Sequence, residues 1–314
     1  NSDYITSPLI SNLFSEIIAI WCVAFWENLN KPKKFVIVEL GPGNASLCND
    51  LLNTFKNFKE FNKFFEIKLL EKSKKLKRIQ KTKIKNRKVK WIKKINDLNY
   101  GPIIFIGNEF FDSLAIKQLY KKNKSIHEKY VTLKKNEKYL KFTYKKANKN
   151  LIKILKKLNL TTRNGTIEYP KEALKYLVNI SKLINTYGGG LLSFDYGYIK
   201  NKNVNTLQSI KRHEQVNIFS DPGNTDITSH INYTLFSNIL KKKKLNVEKI
   251  TTQSEFLQKL GIVERANILS KNVSFKAKAN MYYRLKRLLY YKEMGNLFKV
   301  IFAYKKGKKF NLGF

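Results

Sequence analysis

The segment Val38-Glu39-Leu40-Gly41-Pro42-Gly43-Asn44 puts an acid and a Gly-x-Gly turn at the end of an apolar run. Glycines let backbone approach a ligand without Cβ clashes, and a helix starting after such a turn offers free N–H groups. Ser46 stands where a dinucleotide-binding turn would carry its third glycine, so a methionine-bearing nucleoside suits this turn better than a pyrophosphate. Taken alone, an ordinary tight turn explains the motif equally well. Glu71 strengthens it, because an acid closing the next apolar run can accept hydrogen bonds from both ribose hydroxyls. Asp97 follows a third run and can reach an adenine amino group, although a plain loop acid accounts for it equally well.

A second group of residues follows a fourth run, in Asn108-Glu109-Phe110-Phe111-Asp112. Glu109 and Asp112 are carboxylates suited to gripping a guanidinium through paired hydrogen bonds, and Asn108 offers both an acceptor and a donor. Such a grip orients the attacking nitrogen, and a weak general base suffices if the proton leaves late. Phe110 and Phe111 either wall off water or belong to the core. Asp195-Tyr196-Gly197 closes a fifth run and can add a substrate carboxylate. His213, Asp221, Asp226 and His230 lie in or beside the irregular stretch after it. Three widely spaced histidines make no metal site, and His230 at a helix start reads more readily as a cap or packing residue.

These residues need strands that end at one edge. Apolar runs at 35–40, 65–70, 89–92, 103–107 and 191–194 alternate with helical stretches at about 45–55, 73–83 and 170–187, which predicts a doubly wound parallel sheet. A continuous apolar strand such as Phe35–Leu40 implies cover on both faces. A buried helix is expected over about 9–28, with Ser7 and Pro8 at its start. Residues 116–145 alternate polar and apolar, with turns near Lys122 and Asn136, and read as an inserted antiparallel meander. A helix at about 149–159 follows. The stretch 201–223 reads as irregular, and an amphipathic helix follows at 230–243. Strands at 247–250 and 298–304 flank helices at about 254–290 and suit an antiparallel pair at the sheet edge. The chain reads as one domain, with a core over about 30–115, 188–200 and 245–306, an insert over about 116–187, and a substrate-side segment over about 201–244.

Of 314 residues, 43% are hydrophobic and 13% aromatic, enough for a large core. The formal charge of +39 fits either a polyanionic partner or a lysine-rich compositional bias on a solvated surface, and the scatter of lysine through nearly every segment favours the bias. The densest basic run, 72–94, contains no acid and is the one place suited to an anion. Cys22 and Cys48 lack redox or metal spacing and read as buried thiols in a reducing compartment. The apolar stretch 13–26 is too short to span a membrane and contains Glu16. The absence of an initiator Met at Asn1 suggests a missing N-terminal piece.

Read together, these segments resemble the MidA-like methyltransferases, a family with a mitochondrial branch of arginine methyltransferases acting in respiratory complex I assembly. The resemblance is carried by Asp3-Tyr4-Ile5-Thr6-Ser7-Pro8, the Glu39–Gly43 and Asn108–Asp112 motifs and Asp195-Tyr196-Gly197. It continues through Thr206-Leu207-Gln208, His213, Pro222-Gly223, Asp226-Ile227-Thr228, Gln253, Phe256-Leu257, Leu260-Gly261-Ile262, Arg265, Met294-Gly295 and Phe298-Lys299-Val300. It implies a class I methyltransferase sheet of Rossmann-like α/β type with an inserted substrate subdomain, S-adenosyl-L-methionine as donor, and a protein arginine as acceptor. Glu39, Gly41, Gly43, Glu71, Asp97, Tyr4 and Thr6 are then expected at the cofactor. Asn108, Glu109 and Asp112 are expected at the chemistry, and Asp195, Tyr196, His213, Asp226 and His230 at the substrate. The family often has Arg where this chain has Asn44, Ala-Leu-Pro where it has Ser113-Leu114-Ala115, and Asp where it has Asn205, the last touching a substrate contact.

Two other functions compete: a nucleic-acid methyltransferase, suited to the charge, and a scaffold that kept the fold without the chemistry. Aromatic residues are not interleaved with the 72–94 run, which weighs against the first. The intact glycine turn, Glu71 and Asn108-Glu109 weigh against the second. A bacterial cytoplasm and a mitochondrial matrix both fit, and a homodimer is an open option.

Overall fold

Every residue of strand β1 (Phe35–Leu40) is buried, which requires cover on both faces of the sheet. The computed structural model describes residues 7–10, 12–133, 139–161, 163–200, 203–211, 214–307 and 309–314 and supplies that cover. Phe35 and Ile37 join a core with helices α2 (Asn12–Asn28) and α3 (Ser46–Phe55) on one side, and the short helix α1 (Ser7–Ile10) lies beside both helices. Val36, Val38 and Leu40 point into a second core on the other. The expected buried N-terminal helix is present as α2, with Leu13, Phe14, Ile17, Ile18, Trp21 and Phe25 all buried. Ser7 lies within α1, and its hydroxyl donates to Gln253 Oε1 at 3.2 Å.

After a short helix α4 (Phe61–Phe64), the chain forms β2 (Phe65–Leu70), α5 (Lys74–Lys83), β3 (Val89–Ile92) and β4 (Ile103–Asn108), close to the expected bounds. An antiparallel excursion follows in β5 (Lys117–Lys122), β6 (Ser125–Leu133) and β7 (Leu140–Lys146), then α6 (Lys149–Lys157) and β8 (Gly165–Tyr169). These four strands pair in the order β7-β6-β5-β8. Leu119, Ile126 and Ile167 form the sheet's inner face, and Leu155 of α6 joins them in the same core. Helix α7 (Lys171–Tyr187) buries Leu177, Ile180 and Ile184 against the main sheet and leads into β9 (Gly189–Tyr198), so it packs with the core rather than with the insert.

The stretch expected to be irregular forms a small sheet instead. Strands β10 (Gln208–Lys211), β11 (Glu214–Val216) and β12 (Asp226–Thr228) pair antiparallel, and Phe219 packs on Phe142 of the insert at 4.6 Å. The strands are three or four residues long and mostly polar, so no period emerges from them. Next come β13 (Ile231–Asn232), parallel to β9, and α8 (Tyr233–Lys242). Strand β14 (Leu245–Val247) comes before the expected 247–250 and is set by pairing of Leu245 with Lys305 and Val247 with Ala303. Then follow β15 (Thr251–Thr252), α9 (Gln253–Lys259), α10 (Ile262–Leu269), α11 (Phe275–Leu289), α12 (Met294–Leu297) and β16 (Phe298–Lys305).

The main sheet runs β14-β16-β9-β4-β1-β2-β3. Strands β3, β2, β1, β4 and β9 are mutually parallel, and β16 lies antiparallel between β9 and β14. The chain enters β9 through Gly189 at φ 100°, where an added Cβ would lie 1.9 Å from the Ile103 carbonyl oxygen. No L side chain fits that approach. Cys22 and Cys48 are free and buried, as expected. Among the described residues, no helix is long and apolar enough to cross a membrane.

Phe302 on β16 is fully buried and meets Trp21 edge-on at 4.9 Å and Phe25 at 5.5 Å. Phe302→Ala should therefore destabilise the fold by about 3–5 kcal/mol, the range for emptying an aromatic core site. Urea unfolding followed by circular dichroism checks this. A loss below about 1 kcal/mol would mean that the aromatic cluster is not what holds α2 to the sheet.

Candidate active site

Because β2, β1, β4 and β9 are adjacent and parallel, their carboxyl ends form one edge. Register places Glu39 beside Leu69 and Ile106, Gly107 beside Ser193, and Asn108 beside Phe194. In open α/β sheets this edge is where ligands bind.

At β1 the chain turns through Gly41 (φ 64°) and Gly43 (φ 52°), both in the left-handed region. A Cβ on Gly41 would stand 3.0 Å from the Phe110 ring, whereas one on Gly43 would meet nothing within 4 Å. Gly43 thus faces open space, with conformation as its only constraint. Ala45 precedes α3 at φ 67° and offers no side-chain cap to the helix's first N–H groups. Asn44 accepts from the Ser46 N–H at 3.1 Å and its hydroxyl at 2.7 Å, so it shapes the turn locally.

Glu71 Oε1 accepts from the Ser73 N–H at 2.7 Å, and Oε2 accepts from Gln80 Nε2 at 3.0 Å. Gln80, fully buried on α5, also donates from Nε2 to the Gly43 carbonyl at 2.8 Å and accepts from Trp91 Nε1 at 2.8 Å. One amide therefore fixes the glycine turn, the acid after β2 and strand β3 relative to one another. Sequence reasoning missed Gln80; the only signal was an uncharged polar residue in a run of lysines.

Glu39 is buried, and its Oε2 has no hydrogen-bond partner. Burial, reinforced by the charges of Asp50 and Glu71, pushes its carboxyl up to about 8. Asp97 is exposed, and its carboxylate accepts from the Lys94 N–H at 3.1 Å, which caps its own turn. Tyr4 and Thr6 lie outside the described residues, as does His213.

At β4 and β9 three acids converge. Glu109 adopts φ 51°, unusual for a residue with a side chain, and its N–H donates to the Phe194 carbonyl at 3.0 Å. Asn108 Nδ2 donates to Glu109 Oε1 at 3.3 Å, while Asn108 Oδ1 is buried without a partner. Asp195 is completely buried and accepts at Oδ2 from the Phe111 and Asp112 N–H groups at 2.9 and 3.4 Å. Those two bonds hold the 109–112 turn against β9. Asp112 is 3% exposed, with Oδ1 unpartnered.

Burial pushes Glu109 up to about 8, the Asp112 charge adding to it, while Asn108, the Ser7 N–H and Tyr196 draw it back. Burial likewise raises Asp112 to about 7, backbone N–H groups opposing and Asp226 adding repulsion. Asp195 is raised well above its ordinary value by burial and then by Asp112 and Glu109. Among the described residues no lysine or arginine forms an ion pair with any of the three. An acidic cluster of this kind takes a cation or holds protons.

Tyr196 is half-buried, 4.1 Å from the Phe298 ring and 6.2 Å from that of His230, nearly parallel to the latter. The His230 N–H donates to Thr206 Oγ1 at 2.9 Å, and burial lowers the imidazole's affinity for a proton. Glu168 of the insert anchors this region, accepting from the Thr206 N–H at 2.9 Å and hydroxyl at 2.6 Å. Gln118 links Glu168 to Asn205 Oδ1, at 2.9 and 2.6 Å. Asn205 is exposed, and this bond ties its carbonyl oxygen to the insert. Asp226 is exposed and close enough to Asp112 to repel its charge. Beside Asp112, a cavity of about 350 Å³ is lined by Leu114, Ala115, Leu207, Ile227 and Thr228. The edge therefore gathers Glu39, Glu71, Glu109, Asp112 and Asp195, with Asp97 on the flank and His230 behind Tyr196.

The profile of an S-adenosyl-L-methionine-dependent methyltransferase family matches residues 17–251. The mitochondrial protein arginine methyltransferase NDUFAF7 homolog of Caenorhabditis elegans is 30% identical over 284 residues, covering 84% of this chain and 66% of that protein. The human mitochondrial protein arginine methyltransferase NDUFAF7 is 26% identical over 292 residues, 85% of this chain and 65% of its own length. The chain thus spans just under two thirds of these relatives. A Burkholderia thailandensis protein crystallised with S-adenosyl-homocysteine shares the fold, with a TM-score of 0.83 at 20% identity over 99% of this chain and 81% of that one. With a profile covering most of its length and the strand order that places these motifs on one edge, the chain belongs to the S-adenosyl-L-methionine-dependent methyltransferase family.

Proposed function

We propose that this chain is a protein arginine N-methyltransferase acting on a respiratory complex I subunit during assembly. The observation that carries the reading is the acidic cluster of Glu109, Asp112 and Asp195, with which no lysine or arginine among the described residues forms an ion pair. A guanidinium is planar and always charged, with paired donors that match carboxylates. The relatives named as protein arginine methyltransferases support the same acceptor. The MidA-like resemblance adds complex I, and the relatives' mitochondrial names favour a mitochondrial matrix.

The residues at β1 and β2 fit S-adenosyl-L-methionine. Gly43 leaves open space, Ala45 gives the first turn of α3 no side-chain cap, and Glu39 has an unmatched buried oxygen. Glu71 would accept from the ribose, Gly41 and Gly43 would let the backbone approach, and Asp97 would flank the adenine. The bound donor supplies an electrophilic methyl group. Glu109 and Asp112 grip the guanidinium and turn one nitrogen toward that group. Asn108 Oδ1, otherwise unpartnered, accepts from a second nitrogen. Glu109 then takes the proton that the methylated nitrogen sheds. Asp195 holds the turn that carries both gripping acids, and Tyr196, Asp226 and His230 border the peptide path.

Gln80→Leu removes the amide that ties Gly43 to Glu71. Calorimetry with S-adenosyl-homocysteine should show about a tenfold weaker affinity, as when a supporting hydrogen-bond shell is lost. Unchanged affinity in a folded variant would contradict the role given to Gln80.

Incubation of complex I peripheral-arm subunits with labelled donor, read by mass spectrometry, should place methyl on an arginine. The acids must ionise to hold the guanidinium, so kcat/KM for that substrate should rise as pH climbs through about 7 to 8. Glu109→Gln/Asp112→Asn should lower it by about 100- to 1000-fold while donor affinity changes by less than about threefold. Undiminished methylation by the double variant, or methyl transfer only to RNA, would overturn the reading.

A further inference from the structure

Helix α11 breaks the usual division between an apolar inner face and a polar outer one. Leu285 and Leu288 are buried, but residues 271–280 are all exposed, so the first turn and a half of the helix projects from the molecule. Phe275 opens the helix at 87% exposure, and Tyr283, two turns on, is 63% exposed. At the other end Tyr291 is 61% exposed, with Lys292 over its ring at 5.7 Å, and Lys286 lies over the Tyr290 ring at 5.4 Å. Between 271 and 292 there are seven basic residues and no acid. Glu293 stands at the far end, 3.9 Å from Arg287.

We propose that the projecting face of α11 docks on an anionic phospholipid bilayer. A helix that turns Phe and Tyr outward among lysines has the composition of an interfacial anchor. Its lysines can reach the headgroups along their aliphatic stems while the rings enter the boundary below. Protein interfaces are depleted in lysine, and a second copy would bring like charge against like. The basic run 72–94 of this chain is different: it carries as little acid but no comparable cluster of exposed rings, so charge alone does not single out α11.

The test is co-sedimentation of the full chain with vesicles of phosphatidylcholine containing about one third phosphatidylglycerol, against phosphatidylcholine alone. Binding is expected to the anionic vesicles only and to weaken with added salt. Phe275→Ser should reduce partitioning by about tenfold, as expected for removing one inserted ring. It should leave S-adenosyl-homocysteine affinity unchanged, which shows that the variant is folded. Lys81→Ser/Lys83→Ser, which removes two charges from the other basic run, should cost much less. The proposal is overturned if the chain ignores both vesicles or binds neutral ones equally well. It is also overturned if Phe275→Ser has no effect, if the lysine control costs as much, or if Phe275→Ser instead dissociates a dimer that does not bind vesicles.

Discussion

The constraint on which the rest turns is the burial of carboxylates without a counter-charge. Taking an ionised carboxyl out of water is costly, so such a group stays protonated or finds a cation. Glu39 and Glu109 are raised to about 8, and Asp112 to about 7. Each binds its proton more tightly in the fold than in the unfolded chain. The stability they contribute is complete below the ordinary carboxylate range and is lost as pH rises through about 7 to 8. A cationic ligand changes that balance, because it stabilises the ionised form. The acids are therefore least stable without a cation at the pH where they would best hold a guanidinium.

The architecture holds those acids together. The parallel order of β2, β1, β4 and β9 sets the acids side by side, and the left-handed turn at Glu109 brings the 109–112 segment under the Asp195 carboxylate. Tyr233 donates from its hydroxyl to the carbonyls of Asp195 at 3.1 Å and Lys299 at 2.8 Å, fastening β9 to β16 behind the site. On the donor side, Gln80 does the corresponding work. The insert reaches the same edge through Glu168, which holds Thr206 and, through it, His230.

Much of this was legible in local patterns. The FVIVEL run, apolar but for Glu39, its glycine turn and the acids at successive strand ends announce both the sheet and the edge where those acids gather. What escaped were residues whose role depends on distant partners. Gln80 sits in a lysine-rich helix and acquires meaning from Gly43 and Trp91. Glu168 is one polar residue in an alternating strand and matters through Thr206. The small sheet at 208–228 went unread because strands this short and polar carry no period. Helix α7 directly follows the inserted strands, and only its packing on the main sheet separates it from them.

The central claim is that the acids at the end of β4 give up protons when they receive a guanidinium. Proton release on binding tests it directly, by calorimetric titration of an arginine peptide into the protein at neutral pH in buffers of differing ionisation enthalpy. The account predicts a net release of about one proton or more per peptide bound, abolished in Glu109→Gln/Asp112→Asn. Binding with no proton exchange, or with uptake, would contradict it.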